Sequence, residues 1–139
     1  MGPVLRSVLG VVAGVLVGGV LISGVEVISS RFYPLPAGAA SDPQALASHI
    51  RSLPAGAFAW VLSAWMIGTL AGAWIAARIA GRKHLVHGVI IGTVFLAFGI
   101  ANMLMLPHPA WVWVCGIVIF VMAGYMGGRL ASTRASAHS

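Results

Sequence analysis

The chain has 139 residues, of which 60% are hydrophobic and only 7% are charged, and its formal net charge at pH 7 is +6. A soluble domain carries about 25% charged residues, so this composition excludes a water-soluble fold. The basic residues are scattered singly or in pairs with no interleaved aromatic face, which argues against a nucleic-acid partner. The single cysteine, Cys115, excludes an intramolecular disulfide.

Long stretches without Asp, Glu, Lys or Arg predict four transmembrane helices, since about 20 apolar residues in a helix cross the hydrocarbon layer. The predicted spans cover about 4–28, 55–80, 85–106 and 110–131, with an external segment at 29–54 and a cytoplasmic tail at 132–139. We therefore expect one domain over 1–139. Its predicted fold class is an all-α integral membrane protein, a bundle of four transmembrane helices with a short amphipathic helix in the first external loop.

The first span begins near Arg6 and carries an acidic residue, Glu26, about 20 residues further on. Its apolar run is longer than the 7–15 residues of a signal peptide, so we expect a retained anchor. Counting along the span places Glu26 near the external boundary, as an interfacial carboxylate that pairs with Arg31. The alternative is a proton- or cation-binding carboxylate in an outward-facing cavity, because acidic groups at membrane depth are often functional.

The external segment contains a helix start signal at Asp42-Pro43, an N-cap acceptor followed by proline at the first helical position. Apolar residues then recur at helical spacing, at Leu46, Ile50 and Leu53. The pattern predicts a short amphipathic helix that lies on the outer membrane surface and ends before Pro54.

Polar residues of several spans fall at a comparable depth in the outer layer and form a candidate polar site: Glu26, Arg31, Ser63, Asn102 and His108. A pocket there is one interpretation. The other is structural, with Ser63 bonded to a backbone carbonyl and Asn102 bridging two helices.

Small residues recur every four positions along the spans, a spacing that lets helix backbones approach closely in lipid. The predicted packing glycines are Gly10, Gly14, Gly18, Gly68, Gly72, Gly124 and Gly128. We expect them to pack the bundle internally, with a self-association face as the alternative.

Tryptophans gather at the outer ends of the second and fourth spans and predict an interfacial aromatic belt of Trp60, Trp65, Trp111 and Trp113.

His84 and His87 stand three apart, but two ligands do not make a metal site. No serine or cysteine has a histidine and a carboxylate at matching depth. We therefore expect no enzyme, no catalytic residues, no metal and no cofactor.

Orientation follows from the distribution of Lys and Arg, which favours cytoplasmic loops. Six basic residues fall on one side of the predicted spans: Arg6, Arg78, Arg82, Lys83, Arg129 and Arg134. Only Arg31 and Arg51 fall on the other side. This asymmetry predicts a multi-pass protein of the bacterial inner membrane with both termini in the cytoplasm.

The segments around Glu26, Tyr33-Pro34-Leu35-Pro36, Asp42-Pro43, Leu53-Pro54 and Ala64-Trp65 resemble those of uncharacterised small four-span bacterial inner-membrane proteins. That resemblance implies a fold and a location and carries no activity. Length, span count and a first-span glutamate also look superficially like small multidrug transporters. In those proteins the glutamate lies deeper and the loops are short, so none of their functional residues is assigned here.

The function expected from these patterns is that of a small non-enzymatic membrane protein that packs against membrane lipid or a partner. A homo-oligomer or a larger membrane complex would provide such a partner. The alternative is a small oligomeric transporter or channel that uses Glu26 in an outward-facing polar layer.

Overall fold

The computed structural model describes the backbone of residues 1–136 and the side chains of residues 1–133. Within that part there are five α-helices, one 3-10 turn at Ala39–Ser41 and no strand, which confirms the predicted fold class. The helices are α1 (Pro3–Phe32), α2 (Pro43–Ser52), α3 (Ala55–Ala80), α4 (His84–Met105) and α5 (Ala110–Ser136).

Four of these helices are long and apolar enough to cross a membrane: Pro3–Phe32, Ala55–Ala80, His84–Met105 and Ala110–Thr133. Large apolar side chains stay exposed on their outer faces; Leu16, for example, is 64% exposed and Val20 is 71% exposed. In lipid such a surface needs no cover, because the surrounding chains are equally apolar. The chain is a multi-pass membrane protein.

Helix α1 continues four residues past the predicted end at residue 28 and stops at Phe32. The stop has a local cause, since Pro34 disfavours helical backbone at Tyr33, whose φ and ψ are −128° and 69°. Helix α5 runs to Ser136, so the predicted tail at 132–139 begins as helix. The remaining tail residues, 137–139, lie outside the described residues.

Helix α2 begins where the sequence predicts, because the Asp42 carboxylate accepts hydrogen bonds from the backbone N–H groups of Gln44 at 2.9 Å and Ala45 at 3.3 Å. Its apolar face is turned toward the bundle, so protein rather than lipid covers it. Ile50 is buried in the main apolar cluster of the bundle, and Leu46 and Leu53 pack against that cluster. The bundle end offers a closer-packed apolar partner than lipid does.

Packing joins α1 to α3, α4 to α5, and α3 to both α4 and α5, whereas α1 and α4 touch sparingly. Both α1 and α4 end at the same end of the bundle, where α2 lies, and we call this the α2 end. The opposite end, which holds the start of α1, is the N-terminal end. Two well-packed helix pairs therefore leave a gap on the side where α1 faces α4.

All seven predicted packing glycines lie at contacts between helices of the same chain. A Cβ atom on Gly14 would lie 2.5 Å from the Gly72 carbonyl oxygen, and one on Gly10 would lie 2.6 Å from the Ala76 carbonyl oxygen. Between α4 and α5, a Cβ on Gly124 would lie 2.7 Å from the Gly92 Cα. The missing side chains let these backbones touch, so packing is the main attraction between the helices.

Candidate functional site

The middle of the bundle is marked by the level at which three spans meet. A Cβ atom on Gly18 would lie 2.7 Å from the Gly68 carbonyl oxygen and 2.6 Å from Cζ of Phe95. These residues also lie close to the midpoints of α1, α3 and α4. Depth along the other helices can therefore be counted from this level at a rise of about 1.5 Å per residue.

An open cleft of about 290 Å³ lies between α1 and α4, and we call it the α1–α4 cleft. Its α1 side runs from Val15 to Glu26, which is about 16 Å of helix length. Phe98 lines it from α4 and is 61% exposed, so the cleft faces the outside of the bundle. In a bilayer that side is open to lipid.

A second cavity of about 280 Å³ lies under α2, and we call it the α2 cavity. Ile50 and Leu53 line it on one side, and Phe58 and His108 line it from α3 and the α4–α5 connection. Glu26 and Asn102 line both cavities. The two spaces therefore share one polar boundary.

Glu26 lies eight residues beyond Gly18, about 12 Å from the middle of the bundle. The hydrocarbon half-thickness is about 15 Å, so a bilayer centred on this level would place Glu26, an exposed side chain, close to the edge of the apolar layer. The predicted pair with Arg31 does not form: in the described part of the chain neither side chain has a hydrogen-bond or ion-pair partner. The carboxylate thus lines both cavities without a countercharge from the protein.

Asn102 lies seven residues beyond Phe95, at nearly the same depth as Glu26. Its side-chain amide has no hydrogen-bond partner among the described residues, so the amide does not bridge two helices. An amide offers one carbonyl acceptor and two N–H donors. Asn102 is therefore free to bind a group that enters either cavity.

His108 is half-buried above the α2 cavity and packs against the rings of Phe58 and Trp65, at centroid distances of 5.9 Å and 6.3 Å. Its Nδ1 lies 3.0 Å from the carbonyl oxygen of Leu106. A carbonyl only accepts, so Nδ1 carries the proton, and in the neutral ring Nε2 is left as an acceptor. The contact fixes both the ring and its tautomer.

The structure does not bring the other two candidate residues to this place. Ser63 is exposed, and its hydroxyl donates to the Ala59 carbonyl at 2.7 Å, within its own helix. Arg31 is exposed and lines neither cavity. Of the predicted polar site, Glu26, Asn102 and His108 are brought together.

Trp65 does not belong to the predicted aromatic belt. It is 4% exposed and stacks on Phe120, with ring centroids 5.0 Å apart, and both rings line the α1–α4 cleft. Gly116 makes room for it, since a Cβ there would lie 2.8 Å from the Trp65 ring. Trp60 fits an interfacial position better, because it is partly exposed and stacks on Phe32 at the end of α1.

The inner part of the α1–α4 cleft is apolar. Its polar side chains, Ser23, Glu26 and Asn102, lie toward the α2 end. Nearer the middle it is lined by Val15, Gly19, Ile22, Trp65, Phe95 and Phe120. The shape is that of an apolar trough with a polar mouth, which suits an amphiphile better than an ion.

The N-terminal end of the bundle carries basic side chains instead of an unpaired carboxylate. Arg6 donates from Nε to the Ile79 carbonyl oxygen at 3.1 Å, and the Arg78 guanidinium lies 5.9 Å from the centre of the Trp74 ring. His87 is buried, and its Nδ1 donates to the Lys83 carbonyl at 3.1 Å. These contacts stabilise the ends of α3 and α4.

Comparison with models of protein families, with curated proteins and with solved structures returned no match.

Proposed function

We propose that this chain is a small non-enzymatic protein of the bacterial inner membrane that binds one lipid in the α1–α4 cleft. The observation that carries the proposal is the open trough between α1 and α4, apolar toward the middle of the bundle and polar toward the α2 end. A lipid has the same division, an apolar chain and a polar head. In this proposal both termini are cytoplasmic and the α2 end faces outward.

Lipid is the ligand best matched to the cleft because it reaches the cleft laterally from the bilayer. The exposed Phe98 and Ser23 lie at the opening, so an acyl chain can enter without passing through the bundle. The acyl chain is held in the cleft by close van der Waals contact with the rings of Phe95 and Trp65. Such contact is the main attraction available between apolar groups in lipid.

Gly19 offers a direct test of this proposal. It lines the cleft, and a Cβ atom on it would meet nothing within 4 Å, so a larger side chain fills the trough without a clash. Gly24 has the same open surroundings on the same helix but does not line the cleft. Gly19→Leu and Gly24→Leu are therefore a matched pair.

Native mass spectrometry of protein purified in mild detergent measures the outcome. We expect the wild type and Gly24→Leu to keep one bound lipid and Gly19→Leu to lose it, with unchanged helix content in all three. Lipid retained equally by Gly19→Leu would refute binding in this cleft.

The second candidate function is an oligomeric transporter or channel, which the unpaired carboxylate of Glu26 favours. A transport path needs polar groups along its whole length. The cleft lining continues from Ser23 toward Val15 with apolar side chains, which favours lipid binding. The test is the flux of protons or small cations through the protein reconstituted in liposomes. A flux that Glu26→Gln abolishes would favour the transporter over the lipid-binding protein.

A further inference from the structure

The mouth of the cleft holds a negative charge that the protein does not neutralise. Glu26 is exposed at this mouth, close to the edge of the apolar layer of a bilayer centred on the bundle, and its carboxylate has no ion-pair partner in the described part of the chain. A charge at the edge of the apolar layer is less well compensated than one in bulk water, and no protein cation pairs with this one. The mouth is therefore electrostatically complementary to a cation that arrives with the ligand.

The groups around Glu26 are also rich in hydrogen-bond acceptors. The Asn102 amide lines the same two cavities and has no partner among the described residues. His108 lines the α2 cavity, and in the neutral ring its Nε2 is an acceptor, because Nδ1 donates to the Leu106 carbonyl. A carboxylate, an amide oxygen and an imidazole nitrogen at one cavity boundary match a group with several N–H donors.

We propose, building on the lipid-binding function above, that the lipid in the α1–α4 cleft is a phospholipid whose headgroup ends in a primary ammonium. The ammonium pairs with the Glu26 carboxylate and donates to Asn102. The acyl chain of the same molecule lies in the trough beside Phe95 and Phe98. A quaternary ammonium has the charge but no N–H donor, and a glycerol headgroup has no positive charge.

The exposed cations at the α2 end bear on where the phosphate of such a lipid lies. Arg51 follows Ile50, a residue of the α2 cavity, and is exposed at the α2 end, as is Arg31. These cations lie farther from the middle of the bundle than Glu26. They can hold the phosphate only with the ethanolamine arm folded back toward the bundle, which brings its ammonium to Glu26.

The first experiment varies the lipid and leaves the protein unchanged. The full chain in mild detergent is titrated, under native mass spectrometry, with phospholipids of identical acyl chains and different headgroups: ethanolamine, N,N-dimethylethanolamine, choline and glycerol. We expect the ethanolamine lipid to bind about tenfold more tightly than the choline and glycerol lipids, as charge-assisted hydrogen bonds require, with the dimethylated lipid between them.

The outcomes separate the two proposals. Equal binding of all four lipids to the wild type, with loss in Gly19→Leu, would refute the ammonium site and leave lipid binding in the cleft intact. Tighter binding of the glycerol lipid than of the ethanolamine lipid would also refute the ammonium site. A cleft that holds none of the lipids, or that is covered by a second copy in a lipid-free dimer, would refute both proposals.

The second experiment varies the carboxylate. Glu26→Gln keeps the size of the side chain and removes its charge, so we expect lipid to bind still but the preference for ethanolamine to fall about tenfold. The matched control is Asp42→Asn, which removes the other carboxylate near this end and keeps an N-cap acceptor for α2. A preference that survives in Glu26→Gln, or that falls equally in Asp42→Asn, would overturn the ammonium site.

Discussion

Gly14 lies where α1 and α3 pack backbone against backbone, with the Gly72 carbonyl 2.5 Å from the place of its missing Cβ. Gly14→Leu must push the two helices apart, and we expect a loss of about 1–3 kcal/mol in the free energy of unfolding. Unfolding in mixed micelles measures it. Gly24→Leu, which meets no neighbouring atom within 4 Å and removes a flexible glycine from the helix, should lose no stability. Equal effects of both variants would contradict the packing argument.

Thr69 is the residue whose polar group is least satisfied in the core. It is 0% exposed, and its hydroxyl oxygen has no hydrogen-bond partner in the described part of the chain. Thr69→Val replaces the hydroxyl by a methyl of similar size, so we expect stability to rise by about 1 kcal/mol. Thr93→Val, at an exposed position, is the control and should show no such gain in the same unfolding assay. A lower free energy of unfolding in Thr69→Val would mean that the Thr69 hydroxyl makes a hydrogen bond in the folded protein.

The residues of the site show what a sequence can and cannot predict. Counting along the spans places Glu26, Asn102 and Ser63 at comparable depth, but depth contains no information on rotation about a helix axis. Ser63 consequently lies on an exposed face, away from the two cavities. The position of Trp65 in the core was equally hidden, because an interfacial and a buried tryptophan have the same local sequence signal.

At the scale of the helices, apolar length and proline positions predicted most of the structure. Helix α3 covers Ala55–Ala80 as expected, and Asp42 caps α2. The sequence predicts the end of α1 four residues too early, because the residues after Ile28 are polar, although nothing before Pro34 prevents a helix from continuing. The sequence does not predict what α2 packs against, because an amphipathic pattern does not specify whether lipid or protein covers its apolar face.

The connection between α3 and α4 contains a strained residue. Lys83 has a φ of 46° and a ψ of 47°, the left-handed region that costs a side chain such as lysine about 1–2 kcal/mol. Lys83→Gly should relieve this strain. Glycine is more flexible in the unfolded chain, which offsets part of the gain, so we expect the free energy of unfolding to rise by about 0.5–1 kcal/mol.

Arg82→Gly is the matched control for this prediction. It removes the same charge from the neighbouring position, where the backbone does not have a positive φ. We expect it to be neutral or destabilising when both variants are unfolded under identical conditions. If Arg82→Gly gained as much stability as Lys83→Gly, the gain would come from the lost charge rather than from the relief of strain.

At the scale of the whole molecule, the fold separates the charges between two ends. Arg6 donates to the Ile79 carbonyl and lies against Gly81, so the start of α1 and the end of α3 carry their basic residues together. Glu26 and Asp42 lie toward the α2 end. Positive residues favour the cytoplasmic side of a bacterial membrane, so this separation determines the expected orientation.

The orientation is tested by accessibility in intact cells. In a Cys115→Ala background, which removes the single cysteine, Ser41→Cys places a thiol at an exposed site on the α2 end and Gly2→Cys places one at the exposed N-terminal end. A membrane-impermeant maleimide should label Ser41→Cys in intact cells and label Gly2→Cys only after the cells are opened. The reverse pattern would place the α2 end in the cytoplasm. The mouth of the cleft, with Glu26, would then meet the lipids of the inner leaflet instead of the outer one.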